Sequence, residues 1–277
     1  MSLQKGSDFL AGSNELVKRI LTGIVLLSFT VLVVWLDHII LPIGLLIFIT
    51  FAFNEYYRFW HRKNIYPHTI AAFLPGFVIP LLIYFEVPLL VPGFVLFFFI
   101  CFLSVLRYPG SRHDPNFLAE VTAVVFGVIY ISLMPSALIA LRKIGFEVAL
   151  MPLILTWLYD TFAYLTGSAL GRRRLCKKVS PKKTWEGALL GLVLTLPFAY
   201  FLIRIWLPVL NFADACIITL GIGILGTIGD LFESAMKREV GLKDASKVFP
   251  GHGGFLDRLD SLIFNLPFFY LYLLYRG

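Results

Sequence analysis

Residues 234–260 hold an unusual density of groups that can do chemistry: Ser234, Lys237, Arg238, Lys243, Asp244, Lys247, His252, Asp257, Arg258 and Asp260. Gly251, Gly253 and Gly254 surround His252 in a segment that can take φ > 0 and bring backbone N–H groups close to an anion. Asp257 and Asp260 stand one helical turn apart on one face, two hard oxygen ligands suited to Mg²⁺ or Mn²⁺. Lys237, Arg238, Lys243, Lys247 and Arg258 supply positive charge. Cations, a glycine nest and paired aspartates together describe a metal–polyphosphate site. Taken alone, the glycines would be an ordinary loop and His252 a structural hydrogen-bonder. Their place ahead of two aspartates favours a site, in which His252 orients a phosphate or a carboxylate.

A second polar cluster spans residues 171–187. Lys182 and Lys183 precede a long apolar run and so stand at a helix N-terminus, where the dipole and free N–H groups already favour phosphate. Arg172, Arg173 and Arg174 are more simply topology signals and lipid-headgroup contacts. Asp160 and Asp230 are acids within or next to apolar runs, each a candidate metal or substrate ligand, or else a buried acid satisfied by a cation. If the helix bearing Asp230 runs on, then Asp230, Ser234, Lys237 and Arg238 fall near one stripe, at i, i+4, i+7 and i+8.

The elements that must position these groups are apolar. With 58% hydrophobic and 15% charged residues in 277, and a mean hydropathy of +0.83, the chain has too little polar surface to cover a soluble globule and reads as an all-α, polytopic membrane protein. The formal charge of +7 sits in short clusters between apolar runs, which points to anionic lipid and phosphate rather than nucleic acid. Cys101, Cys176 and Cys216 are scattered, without disulfide or zinc-ligand spacing.

Residues 1–13 form a polar lead outside the fold, and residues 14–277 form a single transmembrane catalytic domain. Apolar runs at residues 20–36, 39–59, 69–85, 87–106, 117–141, 146–167, 185–206, 211–229 and 255–275 each approach the length that crosses a core of about 30 Å. About nine spans result, with Pro135 able to split the fifth. Seventeen of the 24 Lys and Arg residues fall in alternate connecting segments, which the positive-inside rule places in the cytoplasm. Residues 261–275 alone are too short to cross, so Asp257, Arg258 and Asp260 belong to the first turns of the last helix, at the cytoplasmic interface of an inner-membrane protein.

The run from Ser234 through Lys237-Arg238, Lys243-Asp244 and Ser246 to Pro250-x-His252-Gly253-Gly254-Phe255-x-Asp257-Arg258-Leu259-Asp260 resembles the signature of the phosphatidate cytidylyltransferases, the CDP-diacylglycerol synthases. The shorter stretch Ser180-Pro181-x-Lys183-Thr184-Trp185-x-Gly187 is also similar to that family. The resemblance implies cytidylyl transfer from CTP to phosphatidic acid, releasing CDP-diacylglycerol and pyrophosphate, with Mg²⁺ or Mn²⁺ and room for a second cation. The chemistry of the residues gives Asp257 and Asp230, joined by Asp260, to the metal, and Asp257, Asp260, Lys237, Arg238 and His252 to catalysis. Substrate contacts fall to Ser234, Lys182, Lys183, Lys243, Asp244, Gly253, Gly254 and Arg258, and a homodimer is implied as well. Two other classes fit the composition: a CTP-dependent lipid kinase, which would release CDP, and a transporter, which would carry its acids at mid-membrane in paired repeats.

Overall fold

The computed structural model describes residues 22–23, 25–36, 39–88, 93, 95, 98, 117–246, 248–249 and 253–276. The polar lead, Cys101 and most of the expected fourth span therefore lie outside the described residues. The other apolar runs are helices: α1 (Val25–Trp35), α2 (Ile40–His61), α3 (Thr69–Tyr84), α4 (Phe117–Gly127), α5 (Ala137–Ile144), α6 (Phe146–Leu170), α7 (Trp185–Trp206), α8 (Phe212–Glu239) and α9 (Leu256–Arg276). Among the described residues, five helical stretches, namely α2, Phe117–Ile144, α6, α7 and α8, are long and apolar enough to cross a membrane. The protein is an α-helical membrane protein.

The fifth run departs from a plain helix where Pro135 predicts trouble. Residues Val128–Leu133 form a π-helical turn, in which Met134 N–H reaches back to the Ile129 carbonyl at 3.0 Å. Proline has no N–H and its ring crowds the carbonyl four residues back, so the ladder widens before it and α5 starts afresh after it. The Ser132 hydroxyl donates to the Gly76 carbonyl at 2.6 Å, tying this turn to α3.

The eighth run is longer than its apolar part. Asn211 opens α8 with a reciprocal capping box to Asp214, and the helix continues past Gly229 for ten residues. The Glu233–Lys237 pair at i,i+4 supports this extension. A Schellman motif ends it: Gly241 takes φ of 70°, Leu242 N–H bonds the Lys237 carbonyl at 2.8 Å, and Gly241 N–H bonds that of Arg238 at 3.0 Å. Its 28 residues span about 42 Å, more than a hydrocarbon core of about 30 Å.

A short antiparallel hairpin, β1 (Arg174–Cys176) and β2 (Ser180–Thr184), joins α6 to α7, with Arg174 opposite Thr184 and Cys176 opposite Ser180. The all-α expectation thus needs this one addition. The Glu186 carboxylate accepts from the Arg172 and Arg173 backbone N–H groups at 3.0–3.2 Å, and the Thr184 hydroxyl caps α7 by accepting from Gly187 N–H at 3.1 Å. Both bonds fix Lys183 in space.

Helices α6 to α9 pack on one another as the site-bearing half, and α2 and α3 with the π turn form the other. Close approach of α6 and α7 depends on Gly187, where a methyl would sit 2.6 Å from the Ala163 carbonyl and 2.8 Å from the Gly167 Cα. Backbone cannot yield as a side chain can. Gly187→Ala is therefore expected to cost about 1–3 kcal/mol as overpacking, read as a lower thermal midpoint in detergent; an unchanged midpoint would show that the two helices separate freely. Polar ties cross the bundle as well, from Tyr159 to Thr227 at 2.8 Å and from Asn265 to Thr156 at 2.9 Å. At the end of the bundle away from the signature, Arg276 of α9 grips Asp214 of α8 bidentately at 2.7 and 2.9 Å, and Tyr272 donates to the same carboxylate at 2.6 Å.

Candidate active site

The polar extension of α8 meets the start of α9, and two ion-paired groups form there. In the first, Lys237 Nζ lies 2.5 Å from Asp257 Oδ1 and also pairs with Glu233 of its own helix. All three side chains are buried, Glu233 completely. Asp257 Oδ2 accepts the Ala245 N–H at 2.8 Å and the Gly254 N–H at 2.6 Å. Asp257 thus draws together the two sides of the loop that leads from α8 to α9, and aims the lysine besides.

In the second group, Lys183 Nζ of β2 lies 2.6 Å from Asp230 Oδ2, and Ser234 donates to Asp230 Oδ1 at 3.2 Å. Asp260 accepts from the following Ser261 N–H at 2.7 Å. Asp160 of α6 lies near Ser261, and Asp160, Asp230, Asp260 and Lys183 lie close enough to act on one another electrostatically. Close packing brings the helices together here: a methyl at Gly229 would overlap the Asp260 carbonyl. Three carboxylates therefore face one lysine, an excess of negative charge held by helix packing.

The stripe expected on α8 is realised, since the helix does run on. Arg238 turns aside, donating to the Val179 carbonyl of the hairpin at 3.4 Å and to that of Leu242 at 2.9 Å. Lys182, Lys243, Asp244 and Arg258 are exposed around the two groups. Gly253 has φ of 82°, where a side chain would be strained and would also strike Asp257; Phe249 and Gly253 exchange backbone bonds at 2.9 and 3.1 Å. His252, with Lys247, lies outside the described residues.

Three participants escape sequence reasoning. Glu233 sits within the α8 stripe and its spacing to Lys237 could have flagged it. Tyr130 of the π turn is buried beside Glu233, Asp260 and Asp230, with no local motif to mark it. Glu55, deep in α2 and only 2% exposed, accepts from Ser246 Oγ at 2.5 Å, Phe255 N–H at 3.0 Å and Leu256 N–H at 2.9 Å. Its one signal is an acid inside an apolar run.

Comparison with known proteins matches the cytidylyltransferase family model to residues 17–276. The chain belongs to the cytidylyltransferase family. Relatives include the phosphatidate cytidylyltransferases of Thermotoga maritima, 38% identical over 61% of this chain and 67% of that protein, and of Bacillus subtilis, 35% identical over 62% and 65%. That of Haemophilus influenzae is 43% identical over 45% of each chain. The aligned region thus spans about half to two thirds of these relatives.

The divalent metal that a cytidylyltransferase implies can be tested against these residues. Among the described residues no three His, Cys, Asp or Glu side chains are placed to hold a metal ion by themselves. Mg²⁺ seldom needs that, because it keeps waters and usually takes one or two carboxylates plus substrate phosphates. Asp230 and Asp260 fit this pattern, on packed helices with charge in excess. Asp257 is less free, having Lys237 on one oxygen and two amides on the other.

Proposed function

We propose that this protein transfers a cytidylyl group from CTP to phosphatidic acid, giving CDP-diacylglycerol and pyrophosphate. The observation that carries the reading is the junction of α8 and α9, where acids in excess of cations stand at the polar end of lipid-length helices. The family and the names of the relatives support the same substrates.

In this reading one phosphate oxygen of phosphatidic acid attacks the α-phosphorus of CTP, and the bond from that phosphorus to the β-phosphate's bridging oxygen breaks. Both reactants are multiply anionic, so the barrier is repulsion before it is bond-making. Lys237, Lys183 and Arg258 bind phosphate oxygens and offset that repulsion. Asp257 and Glu233 hold the Lys237 ammonium in place, and Asp230 does the same for Lys183. A phosphomonoester is already ionised at pH 7, so no strong general base is needed, and His252 serves to orient. Asp230 and Asp260 would hold Mg²⁺, with Asp257 beside them; when bound, the ion supplies charge neutralisation at the phosphates and the leaving pyrophosphate.

The site lies at the cytoplasmic face of the cell membrane in this proposal, so that CTP arrives from water while phosphatidic acid enters sideways with its chains in lipid. The protein acts as a homodimer, as the family resemblance implies, and residues 14–277 form one catalytic unit. The test is a product assay on purified protein in detergent, with CTP labelled at the α-phosphate, phosphatidic acid and Mg²⁺, with and without EDTA. Label should enter the lipid phase with release of pyrophosphate, and chelation should abolish it. Water-soluble labelled CDP without labelled lipid would indicate the lipid kinase instead.

A further inference from the structure

Glu55 lies on a helix far in sequence from the signature, yet its carboxylate is buried against it. Along α2, Phe48, Phe51 and Glu55 share one face, spaced at helical turns. Phe51 stacks on Phe255 with ring centroids 4.6 Å apart and planes 5° from parallel, and Phe48 lies 6.1 Å from the same ring. The glutamate then satisfies itself wholly on the loop and the start of α9: the Ser246 hydroxyl, the Phe255 N–H and the Leu256 N–H. Gly254 is pressed against the carboxylate so closely that a methyl there would overlap it. A buried carboxylate is costly unless its lone pairs are filled, and free amides at a helix start are the donors best suited to fill them.

The pattern of partners is what separates this from ordinary packing. Asp257 accepts from Ala245 and Gly254; Glu55 accepts from Ser246 and Phe255, the next residue on each side. Two carboxylates thus brace the same two strands of the loop, one from α9 and one from α2, and the inner brace is the acid that aims Lys237. We infer that Glu55 is a positioning residue for the cytidylyl-transfer site, setting the Asp257–Lys237 pair through the peptides on either side of it. The inference rests on the proposed reaction, and its location explains why an acid is kept inside the lipid-length helix α2.

Glutamine at this position keeps the shape but must turn an N–H₂ toward one set of donors, so one side of the brace is lost. Glu55→Gln should lower kcat at least tenfold per folded molecule with KM for CTP changed less than threefold, and Glu55→Asp should restore part of it. Ser246→Ala should cost less, and its effect should be less than additive in the double variant, because both act on one brace. Parental kcat in monodisperse Glu55→Gln protein, or full additivity with Ser246→Ala, would overturn the inference. Should Glu55→Gln fail to fold, Ser246→Ala carries the test alone, with a drop in kcat expected and parental kcat the contrary result. A readout independent of turnover separates this from failure of the proposed reaction: backbone hydrogen exchange should quicken in residues 244–256 of the variant and stay unchanged within α8. Unchanged exchange in residues 244–256 would refute the brace even if the parent makes labelled lipid.

Discussion

Asp257→Asn is expected to lower turnover at least a hundredfold, about 2.7 kcal/mol at the transition state, and to lower the thermal midpoint as well. The carboxylate does two jobs with two oxygens. Oδ1 faces Lys237, which is itself enclosed with Glu233; Oδ2 gathers the Ala245 and Gly254 amides. Asparagine can serve only one of these, since its N–H₂ group would face either an ammonium or two N–H donors. Removing one partner from a buried ion group costs about 3–5 kcal/mol, because the remaining charges stay buried and unbalanced. Lipid-phase label per folded molecule and a melting curve in detergent measure the two effects separately. Activity within about threefold of the parent would remove Asp257 from the site altogether.

Asp260→Asn should give the opposite stability signature with an equally large loss of activity. This carboxylate is crowded by Asp230 and Asp160 and shares with them the nearby cation of Lys183. Replacing it relieves repulsion, while asparagine can still accept from the Ser261 N–H through its amide oxygen. Turnover should fall about a hundredfold or more and need higher Mg²⁺, whereas the thermal midpoint should hold or rise. Acids held together against their own repulsion are a cost that folding alone does not explain, and function is the usual reason for it. Parental turnover at saturating Mg²⁺ would show that Asp260 only closes the helix start.

The contrast between these two aspartates was not legible in the chain. Their spacing announced a pair on one face, and the shortness of residues 261–275 correctly placed both in the first turns of α9. What spacing could not say is that one would be spent on a lysine and two amides while the other stayed among acids, because those partners come from α8, α6, β2 and the loop. The continuation of α8 past Gly229 was legible as a condition, the Asp230–Arg238 stripe, and the Schellman motif at Gly241 is its physical seal. The hairpin at Arg174–Thr184 was hidden because cation-rich residues have no strand alternation to read. Glu55 was hidden for a deeper reason: its three partners lie about 190–200 residues away, and no local pattern encodes a contact of that range.

The clasp of Arg276 and Tyr272 on Asp214 joins α8 and α9 at the end opposite the two acid groups. Two helices fastened there and packed along their length behave as a strut of set length, with one foot at the Asp214 clasp and the other at Lys237. In a bilayer such a strut is a gauge of thickness. A membrane thicker than the strut's apolar length would draw Lys183 and Lys237 toward acyl chains, and a thinner one would lift them clear of the lipid phosphates. Under the proposed reaction, turnover of phosphatidic acid is therefore expected to peak at one hydrocarbon depth and to decline on either side, a dependence that activity in vesicles of graded acyl-chain length measures.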